Sequence, residues 1–288
     1  MKALILNGDD LGLAEAINDG IFEAHERGCL TSASLSVAGP ALESAVAGAA
    51  RCPSLGVGLH LTLVQERPLC PPEEVPSLVD RQGRLHPGGM SFVRRWLSGR
   101  IRAGEVRREV RAQLARAAEL GVPLTHLDSH EHVHVLPGLF EIVLDEMEAV
   151  GLRRLRIPLE TNPRGSASWI RRGQGLGLAF LSRRAARIAR RRGMVFPDHY
   201  LGFRGAGRID TASLLSRIDA AGPGVTELTL HPARGPEPPR PEFAGWGYRW
   251  QAELEALLDE GVRRRIESRG LRTIHFGELE VPAEGMAS

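Results

Sequence analysis

The densest group of residues able to do chemistry is the segment 124–135, LTHLDSHEHVHV, which holds four of the ten histidines in the 288-residue chain. Two acids accompany them, and the group comprises His126, Asp128, His130, Glu131, His132 and His134. Neutral imidazole is a common ligand of divalent transition metals, and a nearby carboxylate can join the coordination or orient a ligand. The segment therefore favours a metal site over a polar loop whose histidines face water. It does not decide which histidine binds.

Three further sets of candidate residues stand in or after apolar stretches. Asp9 and Asp10 follow ALILN (3–7), His60 lies late in LGVGLHLTL (55–63), and His231 ends VTELTLH (225–231). Each has a structural alternative, since an acid pair before a helix can cap it and a histidine in an apolar strand can bond a carbonyl. Adjacent acids at a strand end point in different directions. One of the pair can therefore bind a metal while the other acts as a base.

The apolar stretches alternate with helical patterns along most of the chain. Strands are predicted at 3–7, 31–37, 55–63, 123–127, 152–159, 200–203, 225–231 and 271–276, and helices at 13–27, 41–50, 106–120, 136–150, 167–193, 211–221 and 250–268. This α/β alternation predicts a parallel sheet of seven or eight strands, and a distorted (β/α) barrel is favoured over an open, doubly wound sheet. Functional groups gather at the carboxyl ends of the strands in both folds. The acids and histidines, although far apart in sequence, should therefore share one rim.

A single domain is expected to span residues 1–288, because neither fold has an internal boundary. Residues 64–104 interrupt the alternation with runs rich in proline and glycine such as CPPEEVP and HPGG. A long irregular insertion of this kind is typical of a binding loop or a lid.

Composition excludes several classes of protein. A hydrophobic content of 42% and a charged content of 25% are typical of a globular protein rather than a disordered or fibrous one. Three cysteines, far apart and without a CxxC pair, indicate neither a disulfide framework nor a cysteine zinc site. No stretch is apolar enough for a secretory signal or a membrane span, so a cytoplasmic location is expected.

Positive charge is concentrated in one segment, although the net charge is only +2. Residues 176–193 join an apolar part to six arginines between Arg183 and Arg192, with no acid among them. Near an anionic membrane each arginine could contribute about 1 kcal/mol, which predicts peripheral contact with the inner face of the membrane. A solvated helix in an arginine-rich chain is the alternative. No pattern of a nucleic-acid-binding module accompanies the block, so nucleic acid is not an expected partner, and homo-oligomerisation is left open.

With these residues assembled, the sequence resembles the YdjC-like carbohydrate deacetylase family. The resemblance runs through NGDDLG (7–12), GIFEAHERGCLTSASLSVAGPA (20–41), PSLGVGLHLTL (53–63), THLDSHEHVH (125–134) and TELTLHPA (226–233). It is closest to the branch associated with hopanoid biosynthesis, although Asp128 and Ser129 look more like the chito-oligosaccharide branch. Gly8 and Leu11 depart from the commoner NADDFG, and the leucine removes an aromatic ring near the rim.

The resemblance implies a hydrolase that removes the acetyl group from an N-acetylglucosaminyl unit with one divalent metal ion, zinc or magnesium. Its implied roles are Asp10, His60 and His130 on the metal, Asp9 as general base, His231 as proton donor or oxyanion stabiliser, and His126, Asp128, His132 and His134 as substrate-side or supporting groups. The implied substrate is an N-acetylated amino sugar carried on a hopanoid glycolipid or in a soluble chito-oligosaccharide. A metal-dependent phosphoester hydrolase, an iron oxygenase and a non-catalytic sugar- or lipid-binding protein remain as alternatives.

Overall fold

A computed structural model describes residues 2–160 and 169–281, with the side chains of 169–174 left out. The strands are β1 (Lys2–Leu11), β2 (Ser32–Leu35), β3 (Gly56–Leu61), β4 (Leu127–Ser129), β5 (His199–Leu201), β6 (Gly224–Leu230) and β7 (Arg272–Thr273). The helices are α1 (Glu15–Glu26), α2 (Leu42–Arg51), α3 (Gly89–Leu97), α4 (Ala103–Glu119), α5 (Leu139–Ala149), α6 (Trp169–Arg191), α7 (Thr211–Ala220), α8 (Trp250–Leu258) and α9 (Glu260–Ser268). Short 3-10 helices cover His130–Val135, Pro241–Trp246 and Phe276–Glu278.

The strands form one parallel sheet in the order β4-β3-β2-β1-β6-β5, and β7 pairs with β1. Single parallel bridges connect its two edges through Leu127 with Leu155, Arg154 with Val195, and Glu160 with Tyr200. The predicted distorted (β/α) barrel is confirmed. The strand expected at 152–159 is reduced to these bridges, and residues 161–168, which include the expected start of the 167–193 helix, lie outside the described part of the chain.

Strand β1 lies at the centre of the sheet and positions both aspartates. It pairs with β6 from Lys2 to Gly8 and with β2 beyond Asn7, and the register with β2 shifts between Gly8 and Leu11. Such a bulge re-aims side chains, and Asp10 sits inside it at φ 71°. The capping alternative for the acid pair is wrong, because α1 has Ala14 at its N-cap.

The amino ends of the strands are closed by the C-terminal segment, and we call this apolar cluster the barrel base. It consists of Ala3, Ile5, Ile274, Phe276 and Leu279. The ring of Phe276 stacks on His126 with centroids 3.7 Å apart. Gly58 in β3 makes room for this imidazole, since a Cβ there would lie 2.3 Å from the ring. The base is therefore packed and dry below the site.

Two helical regions differ from the sequence prediction. The 64–104 insertion contains helix α3. Helix α4 begins at Ala103, three residues earlier than predicted. The single helix expected at 250–268 is broken at Asp259, whose carboxylate accepts hydrogen bonds from Gly261 N and Val262 N and so caps α9. Within the described ranges, no helix combines the length and apolar character needed to cross a bilayer.

Candidate active site and metal centre

Three predicted ligands from three different strand ends meet at the carboxyl rim of the barrel. Asp10 Oδ1 lies 3.0 Å from His130 Nδ1 and 3.3 Å from His60 Nε2, and the two imidazole nitrogens are 3.3 Å apart. All three residues are buried. Residues 120 positions apart in sequence thus present their donor atoms to a single point, as the strand-end rule predicted.

The spacing of these donor atoms fits a divalent ion. Ligand atoms about 2.1 Å from an ion lie about 3.0 Å apart in octahedral and about 3.4 Å apart in tetrahedral coordination. The second oxygen of the carboxylate, Asp10 Oδ2, is buried without a hydrogen-bond partner among the described residues. An orphaned buried carboxylate oxygen is costly unless a cation compensates it. Both observations indicate that Asp10, His60 and His130 can hold a metal.

The His60 ring is fixed by the carboxylate of Asp128. His60 Nδ1 lies 2.8 Å from Asp128 Oδ1, which leaves Nε2 directed at Asp10 and His130. Carboxylate–histidine pairs of this kind orient metal-ligating imidazoles and raise their basicity. Asp128 therefore supports His60 on the side of the ring away from the triangle.

Electrostatics at Asp10 and His60 favour the charged forms of both groups. Burial opposes ionisation of Asp10, but the charge of His130 and hydrogen bonds from both histidines outweigh it and hold the pKa well below its usual value. Burial likewise opposes protonation of His60, yet Asp128 and Asp10 raise its pKa to about 10. A positive charge on His60 is thus stabilised by the carboxylates on either side of it.

A buried arginine organises the acids beneath this triangle. Arg156 is 0% exposed and binds both oxygens of Asp9 at 2.8 Å. The same guanidinium reaches Asp128 Oδ2 at 2.5 Å and Glu227 Oε1 at 2.7 Å. Asp9, His60 and Asp128 are also spaced closely enough to hold an ion. Arg156 already supplies the cation there, so the triangle with Asp10 is the better candidate for a metal site.

The side chains of Asn7 and Glu227 complete the surroundings of Asp9. The side chain of Asn7 donates a 2.7 Å hydrogen bond to Asp9 Oδ1. Glu227, buried opposite, has its pKa raised to about 7 because burial and the charges of Asp9 and Asp128 outweigh the attraction of Arg156. Asp9 is consequently held by three hydrogen bonds at a fixed orientation near the rim.

The second predicted catalytic residue, His231, faces the site from the end of β6. Its Nδ1 lies 3.6 Å from Glu253 Oε2 and has no hydrogen-bond partner in the part of the chain described. Burial lowers the pKa of His231, but the nearby carboxylate of Glu253 and the charge of Asp10 raise it above the usual value. The ring of Tyr248 packs edge-on against it, with centroids 4.9 Å apart. His231 is thereby disposed to carry a proton.

The remaining clustered histidines have separate positions. His126 is buried against the barrel base. The two ring nitrogens of His134 contact the hydroxyl Oγ of Ser129 and the backbone carbonyl of Arg156. His132 lies at the rim, with Nε2 3.1 Å from Tyr200 Oη. Of the four substrate-side or supporting candidates, His132 is thus the one beside the opening, while Asp128 supports His60.

An aromatic wall borders the opening on the side of the insertion. The ring of Trp246 lies 5.4 Å from His130 and 5.4 Å from Tyr248. Beyond Trp246 a cleft of about 290 Å³ is lined by Gln65, Glu66, Asp80, Arg84, Leu85, Pro87, Arg240, Glu242 and Phe243. Polar groups beside an aromatic face are suited to a sugar ring.

Sequence reasoning missed the charged residues that hold the site from behind. Arg156 and Glu227 each stand inside a stretch with strand character, LRIPL and VTELTL, where a charge is unusual. Glu253 lies on one face of α8 and had no such signal. The intrusion of a charge into an apolar strand is the feature that could have identified the first two.

The chain matches the family model described as YdjC-like protein over residues 3–268. A mouse protein named carbohydrate deacetylase is 32% identical over 98% of this chain and 97% of its own length. A chitooligosaccharide deacetylase from Proteus mirabilis is 30% identical over 96% and 98%. A crystal structure from Enterococcus faecalis, of a protein whose name refers to cellobiose-phosphate cleavage, is 28% identical, superposes with a TM-score of 0.76 and covers 96% of this chain and 97% of its own.

Proposed function

Because the chain belongs to the YdjC-like protein family, we propose that it is a metal-dependent deacetylase that hydrolyses the acetamide of an N-acetylated amino sugar, such as an N-acetylglucosaminyl unit. The observation that carries this proposal is the triangle of Asp10, His60 and His130, with its orphaned carboxylate oxygen. The names of the curated relatives supply the reaction class. Zinc fits two imidazoles and one carboxylate well, whereas magnesium would need more oxygen ligands at the open positions.

The chain's own residues divide the chemistry between two sides of the substrate. A divalent ion bound at the triangle would polarise the amide carbonyl and activate a water. Asp9, oriented by Arg156 and Asn7, takes the proton from that water as general base. His231, whose pKa is raised, gives a proton to the departing amine. Amide hydrolysis needs both a base and an acid, and Asp9 and His231 supply them.

Acetate release from N-acetylglucosamine substrates by the zinc- or magnesium-loaded protein tests the proposal. We expect His130→Ala to abolish release and Asp9→Asn to lower it by about 100-fold or more, in the range of one lost general base. His199→Ala is the matched control, because this histidine lies at the amino end of β5, away from the site, and its ring bonds Pro223 O. Full activity of His130→Ala, or no release with any divalent metal, would refute the proposal.

The cleft beyond Trp246 supports an oligosaccharide as the longer form of the substrate. The cleft is lined in part by Trp246, and the ring of this residue also contacts His130. A second sugar ring placed there would stack on Trp246 and meet Arg84 and Arg240. We expect chitobiose to be deacetylated with a lower KM than N-acetylglucosamine, and Trp246→Ala to remove this difference. Equal KM values for the two substrates in the unaltered protein would exclude the cleft as a sugar site.

The alternative substrate is a membrane-borne glycolipid, such as a hopanoid glycolipid. Helix α6 has features that would support contact with a membrane. Its outward face exposes Leu176 and Phe180, followed by Arg183, Arg187 and Arg191. Arg184 and Arg192 are instead paired with acids of α5. The exposed face combines apolar and basic groups as interfacial helices do.

Co-sedimentation with vesicles containing anionic lipid tests this membrane contact. We expect binding that falls when Arg183 and Arg187 are both replaced by Glu, and that weakens at high salt. Arg264→Glu on α9, an exposed residue whose ion-pair partner Glu260 is on the same helix, is the control. Equal sedimentation with neutral and anionic vesicles would argue against the contact.

A further inference from the structure

A chain of three hydrogen bonds joins the insertion to the proposed metal ligand His130. The side-chain amide of Gln65 lies between two groups: Oε1 is 3.0 Å from His130 Nε2, and Nε2 is 3.0 Å from Glu131 Oε1. The other oxygen of Glu131 accepts a 2.8 Å bond from Gly89 N, at the start of α3. Gln65 and Glu131 both adopt left-handed backbone conformations, with φ of 69° and 53°. Such conformations are costly for side-chain-bearing residues and cluster at functional sites.

The direction of every bond in this chain follows from its two ends. A backbone N–H can only donate and an ionised carboxylate can only accept, so Glu131 accepts from both Gly89 and Gln65. The amide NH2 of Gln65 must therefore face Glu131, which leaves its carbonyl oxygen facing His130 Nε2. A carbonyl can only accept, so that nitrogen carries the hydrogen. The other ring nitrogen, Nδ1, is then the one that can give up its hydrogen to an ion at the point shared with Asp10 and His60.

The close approach of Glu131 to the insertion depends on a glycine. A Cβ at Gly89 would lie 2.9 Å from Glu131 Oε2 and 3.2 Å from Glu131 Cβ. The carboxylate also stands at the N-terminus of α3, where free N–H groups favour an anion. The insertion thus holds the acceptor-only carboxylate of Glu131 where it sets the direction of the hydrogen bonds.

We infer that Gln65 and Glu131 are positioning residues for the metal, which hold His130 as the Nε2–H tautomer so that Nδ1 coordinates. The inference rests on the proposed metal-dependent function. It assigns to the 64–104 insertion a part in metal binding, in addition to forming one wall of the cleft. Loss of a group that orients a ligating histidine typically weakens metal binding 10- to 100-fold.

Zinc affinity of the metal-free full chain, measured by competition with a chromophoric chelator, tests the inference without any turnover. Gln65→Ala removes the acceptor, and we expect about a tenfold or greater loss. Glu131→Gln is the sharper variant. Gly89 N–H requires its oxygen, so the new NH2 faces Gln65 and turns that amide around, which favours a hydrogen on Nδ1 where the metal should bind. We expect a loss of several-fold, and no further loss when it is added to Gln65→Ala.

Gln82→Ala is the matched control, since this glutamine lies in the same insertion and is exposed. Nuclear magnetic resonance of ¹⁵N-histidine protein loaded with ¹¹³Cd²⁺ gives a second readout. We expect coupling from cadmium to His130 Nδ1 and a hydrogen retained on Nε2. Coupling to Nε2 would overturn the inference, as would zinc affinities of both variants within twofold of the unaltered protein. Failure of the unaltered protein to bind zinc or cadmium would instead refute the proposed function, and the inference with it.

Discussion

Metal binding should become tighter as the pH rises, because the ion must displace a proton from His60. The neighbouring carboxylates raise the pKa of this imidazole to about 10 in the metal-free protein, while that of Asp10 is held well below its usual value. At pH 7 only about one molecule in a thousand has His60 neutral, about three pKa units at about 1.4 kcal/mol each, or about 4 kcal/mol of binding free energy. Apparent affinity should rise about tenfold per pH unit between pH 6 and 9, and level off near pH 10.

Calorimetric titration with zinc in buffers of different ionisation enthalpy measures this directly. The dependence of the apparent enthalpy on the buffer gives the number of protons released, and we expect at least one per ion at pH 7. Asp128→Asn supplies the matched perturbation, because it removes the largest influence that raises the pKa of His60. We expect it to flatten the pH dependence, since the proton then leaves more easily.

Two outcomes would refute this reasoning. An affinity that does not change between pH 6 and 8, with no proton release, would show that His60 is neutral before the metal arrives. An unchanged slope in Asp128→Asn would show that Asp128 does not hold the proton, whatever the slope of the unaltered protein.

The other predictions concern residues behind the site. Glu253→Gln should lower the pKa of His231, which Glu253 raises, so the alkaline limb of the kcat/KM profile should move to lower pH; an unmoved limb would exclude His231 as the titrating acid. Arg156→Met should reduce the free energy of unfolding in urea by about 3–5 kcal/mol, because three buried carboxylates lose their counter-ion; a loss below 1 kcal/mol would contradict the charge cluster. Gly58→Ala should cost about 1–3 kcal/mol by overpacking the barrel base. Gly104→Ala, with no neighbouring atom within 4 Å of its added Cβ, should be nearly neutral in the same denaturation experiment.

The sequence predicts the barrel because each strand is a short apolar run followed by a helical pattern. That signal identifies β1, β3 and β6 and places their functional residues at one rim. It overextends the run at 152–159, where the chain makes only isolated bridges. Strand pairing there depends on neighbours from distant parts of the chain, which local patterns do not describe. Helix α3 is missed for a related reason, since glycines occupy its N-cap and first position, Gly88 and Gly89, and its start is stabilised by Glu131 from another segment.

The histidine cluster illustrates the limit on predicting the site. Four imidazoles in nine residues indicated a metal, yet the tight turn at Glu131 and His132 sends neighbouring side chains in different directions. His130 reaches the triangle, whereas His134 binds the backbone of Arg156 and His126 packs on Phe276. Residue type was informative about chemistry, but which ring joins the centre depends on backbone dihedral angles that the spacing alone does not specify.

The barrel base also governs when the site can form during synthesis. β7 pairs with β1, and Phe276 covers His126. The pairing of β1 is therefore complete only after β7 has been synthesised. Contacts between such distant parts of a chain form slowly, because a long loop must close before they gain any stability. A ribosome-bound chain that lacks residues 271–279 would leave the underside of the charged cluster open to water. The polypeptide must therefore be translated at least as far as Leu279 before Asp9, Arg156 and their partners can be sealed from solvent.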